Sequence, residues 1–214
     1  MFINSLLLSF IFYLTAYRVV LHARIMIHKA YILHDLGKDN EAMKEADDAE
    51  RLLSLGECYD DAAEISYAKA NIILSSGQNS HEDRTHILLH LDKCIDYCKK
   101  ATVDKTLPAV QATLRRALVH LGYYQHGISE DIPKSDIDTA ESILDFISKQ
   151  PEPLSERSKV YYTYGQSLLA HRKGDTSTAI ELEHKMRRKC EAHNLSLEIQ
   201  QLDTLRTLIR SKNE

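Results

Sequence analysis

Apolar residues recur with a period near 3.6 from residue 18 to the end of the chain, the spacing of helices that bury one face. No segment alternates apolar and polar residues for long enough to compete as a β-strand. We therefore predict an all-α fold. The predicted helices cover 18–36, 39–54, 59–76, 82–101, 107–125, 135–149, 155–173, 176–192 and 196–211.

Glycine and proline mark the ends of these helices. The sequence has seven glycines and four prolines, few for 214 residues, which argues against an all-β sandwich. Five glycines lie where an apolar pattern stops. Helices commonly end at a glycine in the left-handed conformation, so these glycines are predicted to end helices. They are Gly37, Gly56, Gly77, Gly127 and Gly174.

Two helices carry further local signals. Ser135 and Asp138 form an S-x-x-D pattern after Pro133, which predicts a capping box at the start of the sixth helix. The last helix has one apolar stripe, which predicts a terminal capping helix with a solvated outer face. The residues expected on that outer face are Glu198, Gln200, Gln201, Arg206 and Arg210.

Residues 1–17 contain no charged side chain, and three interpretations of this segment stay open. It is a first helix buried against its neighbour or the truncated start of a longer gene product, a membrane anchor through residues 2–17, or a secretory signal. A secretory signal requires a Lys or Arg before its apolar run, and none is present here. The apolar run is also at the lower limit of the length needed to span a membrane. We therefore separate 1–17 from a helical domain at 18–214.

The same spacing of small residues occurs near both ends of the helical domain. Ala30 and Ala42 flank Gly37, and Ser167 and Ala179 flank Gly174 at the same distances; Ala46 and Ala49 follow Ala42. The two glycines lie about four units of 34 residues apart. The chain therefore resembles the tetratricopeptide repeat (TPR) family over about residues 20–192, although the middle departs from the 34-residue unit.

The resemblance implies a right-handed α-solenoid of about four helical hairpins with a C-terminal capping helix. In that family, glycine ends the first helix of a pair and small side chains let its two helices approach. It also implies a concave groove in which the first helix of each pair contacts a partner. We therefore expect a non-catalytic, cytoplasmic scaffold that binds a protein or peptide.

Two segments, AYILHDLGKDNEAMKEADDAERLL and HLDKCIDYCKK, are also similar to the interferon-induced TPR proteins. That similarity implies an innate-immune protein that captures RNA ends in a basic tunnel. Residues 35–64, however, contain eleven Asp or Glu and three Lys or Arg, and such an acidic region repels phosphate. RNA binding is kept as the alternative function, together with the TPR portion of a larger receptor.

Catalytic and metal-binding signatures are absent from the sequence. It contains no G-x-S-x-G, P-loop, G-x-G-x-x-G or H-E-x-x-H motif, so we expect no enzyme and no cofactor. His86, His90, Cys94 and Cys98 recur every four residues, but four ligands on one straight helix cannot surround a tetrahedral metal ion. We expect no metal site. The acidic pairs Asp47–Asp48 and Asp60–Asp61 are expected on solvated faces.

The aromatic residues suggest where a partner binds. The chain has eleven tyrosines and no tryptophan. Tyr161 and Tyr164 are predicted to pack between helices, which turns Tyr162 toward the groove. In the register of TPR arrays, the residues expected to contact a partner are Tyr31, His34, Tyr67, Asn71, Tyr162 and Gln166.

Overall fold

The structure is a computed structural model. It describes the backbone of residues 2–54, 58–76, 80–102, 106–150 and 154–211, and the side chains of these residues from 17 onward except residue 107. The described residues form nine α-helices and one short β-hairpin. The helices are α1 (Phe2–Asp35), α2 (Asp39–Leu53), α3 (Tyr59–Ser76), α4 (His81–Lys100), α5 (Thr106–His120), α6 (Lys134–Ser148), α7 (Glu156–Arg172), α8 (Thr176–Ala192) and α9 (Ser196–Ser211).

Each helix packs against the next one along the chain. In addition, α1 contacts α3, α5 contacts α7, and α7 contacts α9, which brings odd-numbered helices side by side. The predicted all-α class is confirmed, and the predicted helices agree with the observed ones within a few residues, apart from the start of α1 and the end of α5.

The small residues of the predicted helix pairs are buried. Ala30 and Ala42 are fully buried, as are Ser167 and Ala179. The Ser167 hydroxyl donates a hydrogen bond of 2.7 Å to the Ala179 carbonyl, which ties α7 directly to α8. Small side chains therefore occupy positions where larger ones would force the helices apart.

The helix ends agree with the glycine pattern only in part. Gly37 and Gly174 have φ of +72° and +83°, as predicted for left-handed C-terminal residues. Gly127 lies instead in a β-strand. Gly56 and Gly77 lie outside the described residues.

The fifth helix is shorter than predicted. It ends at His120, not at 125, and Gly122 takes φ of +86°. The chain then forms an antiparallel hairpin of β1 (Tyr123–Tyr124) and β2 (Gly127–Ile128). The apolar residues after His120 are buried, as the residues on the inner face of a helix would be. It is the turn and the hairpin, however, that place them in the core.

The predicted capping box is wrong, and a different one is present. Pro133 takes the N-cap position of α6, with no capping bond from a side chain. A capping box instead starts α4, where Ser80 Oγ accepts from the Asp83 amide at 3.0 Å and the Asp83 carboxylate accepts from the Ser80 amide at 3.2 Å.

Three polar residues that were predicted to lie on solvated faces are buried. Glu198 and Gln201 of α9 are buried, against the prediction of a wholly wet outer face. Asp61 is buried as well, and Arg24 Nε donates to it at 2.6 Å, linking α1 to α3. Each buried carboxylate has an arginine partner, which offsets the cost of removing it from water.

The N-terminal segment continues the first helix. The backbone is helical from Phe2, so α1 begins well before the predicted residue 18. Within the part of the chain that the structure describes, no helix combines the length and apolar character needed to cross a bilayer. The three interpretations of residues 1–17 stay predictions.

Candidate functional site

A polar pocket of about 290 Å³ lies between α3, α5 and α7. We name it the tyrosine–arginine pocket. Its walls are formed by pairs of residues four apart on each helix: Tyr67 and Asn71 on α3, Gln111 and Arg115 on α5, and Arg157 and Tyr161 on α7. Residues four apart lie one above the other on a helix, so each helix presents two side chains to the same space.

Arg115 lies among aromatic rings. Its guanidinium carbon lies 4.8 Å from the ring centre of Tyr161 and 5.7 Å from that of Tyr123. Burial opposes its charge, but the neighbouring hydroxyls of Tyr67, Tyr123 and Tyr161 outweigh this effect and hold the pKa of the guanidinium above its ordinary value. The cation is therefore permanent, and stacking on rings limits its movement.

Arg115 has no carboxylate partner among the described residues, whereas the next residue does. Arg116 Nε lies 3.0 Å from Asp92 Oδ1, an ion pair between α5 and α4. The side chains of the two arginines thus extend from α5 toward different helices, and the charge of Arg116 is neutralised by an acid. The charge of Arg115 is matched only by the faces and hydroxyls of tyrosines.

The α7 wall is held in place by α9. Arg157 Nε donates to Glu198 Oε1 at 2.7 Å, and the Tyr161 hydroxyl lies 3.4 Å from the same oxygen. Glu198 is buried while Arg157 is largely exposed. This acid therefore neutralises Arg157 and orients Tyr161 toward the pocket.

The ring behind Arg115 is part of the core. Tyr123 is buried and packs edge to face against Tyr164, with 5.4 Å between the ring centres. Burial raises the pKa of both hydroxyls, so both tyrosines are neutral at physiological pH. The β-hairpin that replaces the end of the predicted fifth helix thus supplies the back support of the pocket.

The structure brings two of the six predicted contact residues into this pocket, Tyr67 and Asn71. Tyr162 and Gln166 lie elsewhere on α7, where the Gln166 amide donates to the Tyr162 hydroxyl at 3.1 Å and Ser148 of α6 bonds the same tyrosine. Tyr161, which was predicted to pack between helices, packs against the core and also lines the pocket. In this pocket α7 therefore contributes Tyr161, one residue before the predicted contact residue Tyr162.

Tyr31 and His34 are occupied by contacts within the chain. Tyr31 packs against the small core formed by α1, α2 and α3, and burial raises the pKa of its hydroxyl. His34 Nδ1 lies 2.7 Å from Asp39 Oδ1, and its Nε2 lies 3.2 Å from Ser75 Oγ. These contacts join the end of α1 to α2 and α3.

A larger cleft of about 940 Å³ lies between α4, α5 and α6, on other faces of the helices. Its walls are mainly apolar and include Phe146, which is 58% exposed. Its two cations are matched by acids outside it: Arg116 by Asp92, and Lys99 by Asp96 at 3.0 Å. The cleft therefore lacks the set of convergent, unmatched polar groups that the tyrosine–arginine pocket has.

The residues with metal-binding character on α4 do not converge. No group of three or more His, Cys, Asp or Glu side chains with metal-binding geometry occurs among the described residues. Cys94 is buried, and burial raises the pKa of its thiol to about 12, so the thiol stays protonated and unreactive. This side chain serves packing.

His90 gives α4 a pH-dependent stability. Burial, with Lys69 and Lys93 nearby, lowers the pKa of His90 to about 4. The unfolded chain therefore binds a proton at this residue near pH 6.5 while the folded chain does not. Stability is expected to fall as the pH drops from about 6.5 to about 4.

Urea unfolding at pH 7 and pH 4.5 measures this effect. The loss of unfolding free energy is expected to be smaller in His90→Gln than in the unaltered chain, and unchanged in the control His22→Gln, which alters an exposed histidine. Equal losses in all three proteins would contradict the assignment.

Comparison with known proteins provides no relative for this chain. No protein-family model matches the sequence, and neither the characterised proteins nor the solved structures contain a match. The pocket is therefore interpreted from its own geometry.

Proposed function

We propose that this chain is a non-catalytic interaction scaffold that binds an extended segment of a partner protein. In this proposal the helices form a right-handed α-solenoid of TPR-like hairpins, and the binding groove is the side on which α1, α3, α5 and α7 lie. The observation that carries the proposal is the tyrosine–arginine pocket, which is assembled from three successive odd-numbered helices.

The packing of the helices supports a solenoid. Neighbouring helices contact one another throughout the described residues, and α1 with α3, α5 with α7, and α7 with α9 also contact one another, as stacked hairpins require. The buried small residues Ala30, Ala42, Ser167 and Ala179 permit the close approach within a hairpin. A groove lined by alternate helices suits a ligand that crosses them in an extended conformation.

The side chains of the pocket suit a peptide. The side-chain amides of Asn71 and Gln111 make no hydrogen bond to any described residue, and each offers a donor and an acceptor that match a peptide group. Tyr67 and Tyr161 add rigid amphipathic surface, which loses little conformational entropy on binding.

The test uses random peptides displayed on phage and selected against the full chain. Peptides that bind are expected to lose about ten-fold in affinity with Asn71→Ala combined with Gln111→Ala, because two peptide-matching amides disappear. Fluorescence anisotropy of the selected peptides measures this loss. Neither substitution removes a hydrogen bond within the described chain, so the fold is expected to be retained.

The matched control is Gln166→Ala, an amide on α7 outside the pocket that bonds Tyr162. It is expected to leave peptide affinity unchanged. Selection of no binding peptide, or an equal loss in the control and the double variant, would refute the proposed groove. The cytoplasmic location stays a prediction.

A further inference from the structure

The tyrosine–arginine pocket carries an uncompensated positive charge. Among the groups that form it, Arg157 is neutralised by Glu198, but Arg115 has no acid partner among the described residues. The pocket with its supporting acid thus has a net charge of one positive unit. Holding an arginine half-buried without a counterion is unfavourable in free energy, and a bound anion would offset this penalty.

The surroundings of Arg115 define how an anion would bind. The guanidinium carbon of Arg115 lies over the ring faces of Tyr161 and Tyr123, 4.8 and 5.7 Å from the ring centres. A guanidinium carries five N–H groups in its plane, and the Tyr67 hydroxyl takes up only part of those of Arg115, so N–H groups remain along its edge for a planar, two-oxygen acceptor. A carboxylate fits that edge with two parallel hydrogen bonds.

We propose that this pocket receives the side-chain carboxylate of an Asp or Glu within a partner peptide, with Arg115 as its counterion. The proposal rests on the proposed function, because it takes the peptide-binding groove as given. It makes Arg115 the residue that determines specificity.

The charge balance and the pocket walls favour this ligand over two other anions. A single carboxylate cancels the one unmatched positive charge, whereas a phosphate dianion would leave an excess negative charge in a confined site. The unpaired amides of Asn71 and Gln111 lie in the same pocket and match peptide groups of a continuing chain. An internal acidic residue therefore suits the site better than a chain terminus.

The test is an array of nine-residue peptides with acetylated N-termini, each printed once with an amidated and once with a free C-terminus, probed with the full chain. Each peptide selected in the phage experiment is printed with Asp, Asn, Glu, Gln or phosphoserine at every position. We expect one position at which Asp or Glu binds about ten-fold more tightly than its amide. Arg115→Gln is expected to abolish that preference while it retains the binding of the amide-containing peptides.

Arg116→Gln is the matched control, since it removes an adjacent arginine whose partner is Asp92. It is expected to keep the acidic preference, and thermal unfolding verifies that both variants are folded. The proposal is overturned if no position prefers an acid, if phosphoserine binds best, if only free C-termini bind, or if Arg115→Gln keeps the preference. Peptides that bind without any acidic preference would overturn this inference alone and leave the proposed function standing.

Discussion

Gly122→Ala is expected to destabilise the protein by about 3 kcal/mol, because two costs add at this position. Gly122 has φ of +86°, a conformation that L side chains rarely adopt. A Cβ atom there would lie 2.7 Å from the Ser129 carbonyl oxygen and 2.8 Å from Ile132 Cδ1. The first contact is with backbone, which cannot move aside without disturbing the hairpin, and the Ser129 amide donates to the Gly122 carbonyl at 2.8 Å.

Gly174→Ala separates these two costs. Gly174 has a similar φ of +83°, but nothing lies within 4 Å of the position of a Cβ. This variant is expected to lose only about 1 kcal/mol, the cost of the left-handed conformation. Urea unfolding of the three proteins measures the difference. Equal losses for the two variants would contradict the close contact assigned to Gly122.

Glu183→Gln is expected to cost about 3 kcal/mol, because this buried carboxylate holds α9 on α8. Glu183 Oε1 lies 2.9 Å from Arg187 Nη2, and its Oε2 lies 3.1 Å from Arg206 Nη2. Arg187 also contacts Asp203 at 2.8 Å. Removing the charge of Glu183 leaves Arg206 without an acid partner among the described residues and weakens the ion network that joins the last two helices.

Glu181→Gln is the control for this variant. Glu181 lies on the same helix, two residues earlier, but it is exposed. Its substitution is expected to change the unfolding free energy by less than about 0.5 kcal/mol. Guanidinium chloride unfolding at constant ionic strength compares the two variants. A small loss for both would show that the buried network contributes little.

The helices were predictable because each buries one face, and an apolar stripe leaves a 3.6-residue period in the sequence. The same argument failed after His120. Leu121, Tyr123 and Tyr124 are buried, so their apolar character continues the helical pattern. The left-handed conformation of Gly122 ends the helix, and the pattern of hydrophobic residues does not report backbone conformation.

The pocket was predictable only in part. Tyr67 and Asn71 were found from their position on α3, but Arg115 and Tyr161 were missed. Arg115 is directly followed by Arg116, and charged residues are usually solvated. Its role depends on tyrosines from three other elements, a tertiary arrangement that the local sequence does not contain. The sequence did contain one signal for the pocket. Gln111 and Arg115 are four residues apart, as Tyr67 and Asn71 are, so each pair lies on one face of its helix.

The buried acids were missed for a related reason. Asp61, Glu183 and Glu198 are charged, and a charged residue is usually solvated. Each is buried because an arginine from a distant helix reaches it. Pairing across helices therefore decides which charges are removed from water, and single-helix patterns do not show it.

NMR of the chain labelled with ¹⁵N at arginine tests the peptide-binding pocket most directly. An acidic peptide selected on the array is titrated into the labelled protein, and the Nε–H signals of Arg115 and Arg116 are followed. We expect the Arg115 signal to shift with the bound fraction while the Arg116 signal stays in place. A shift of Arg116 with an unchanged Arg115 would place the peptide in the cleft between α4, α5 and α6 and contradict the account.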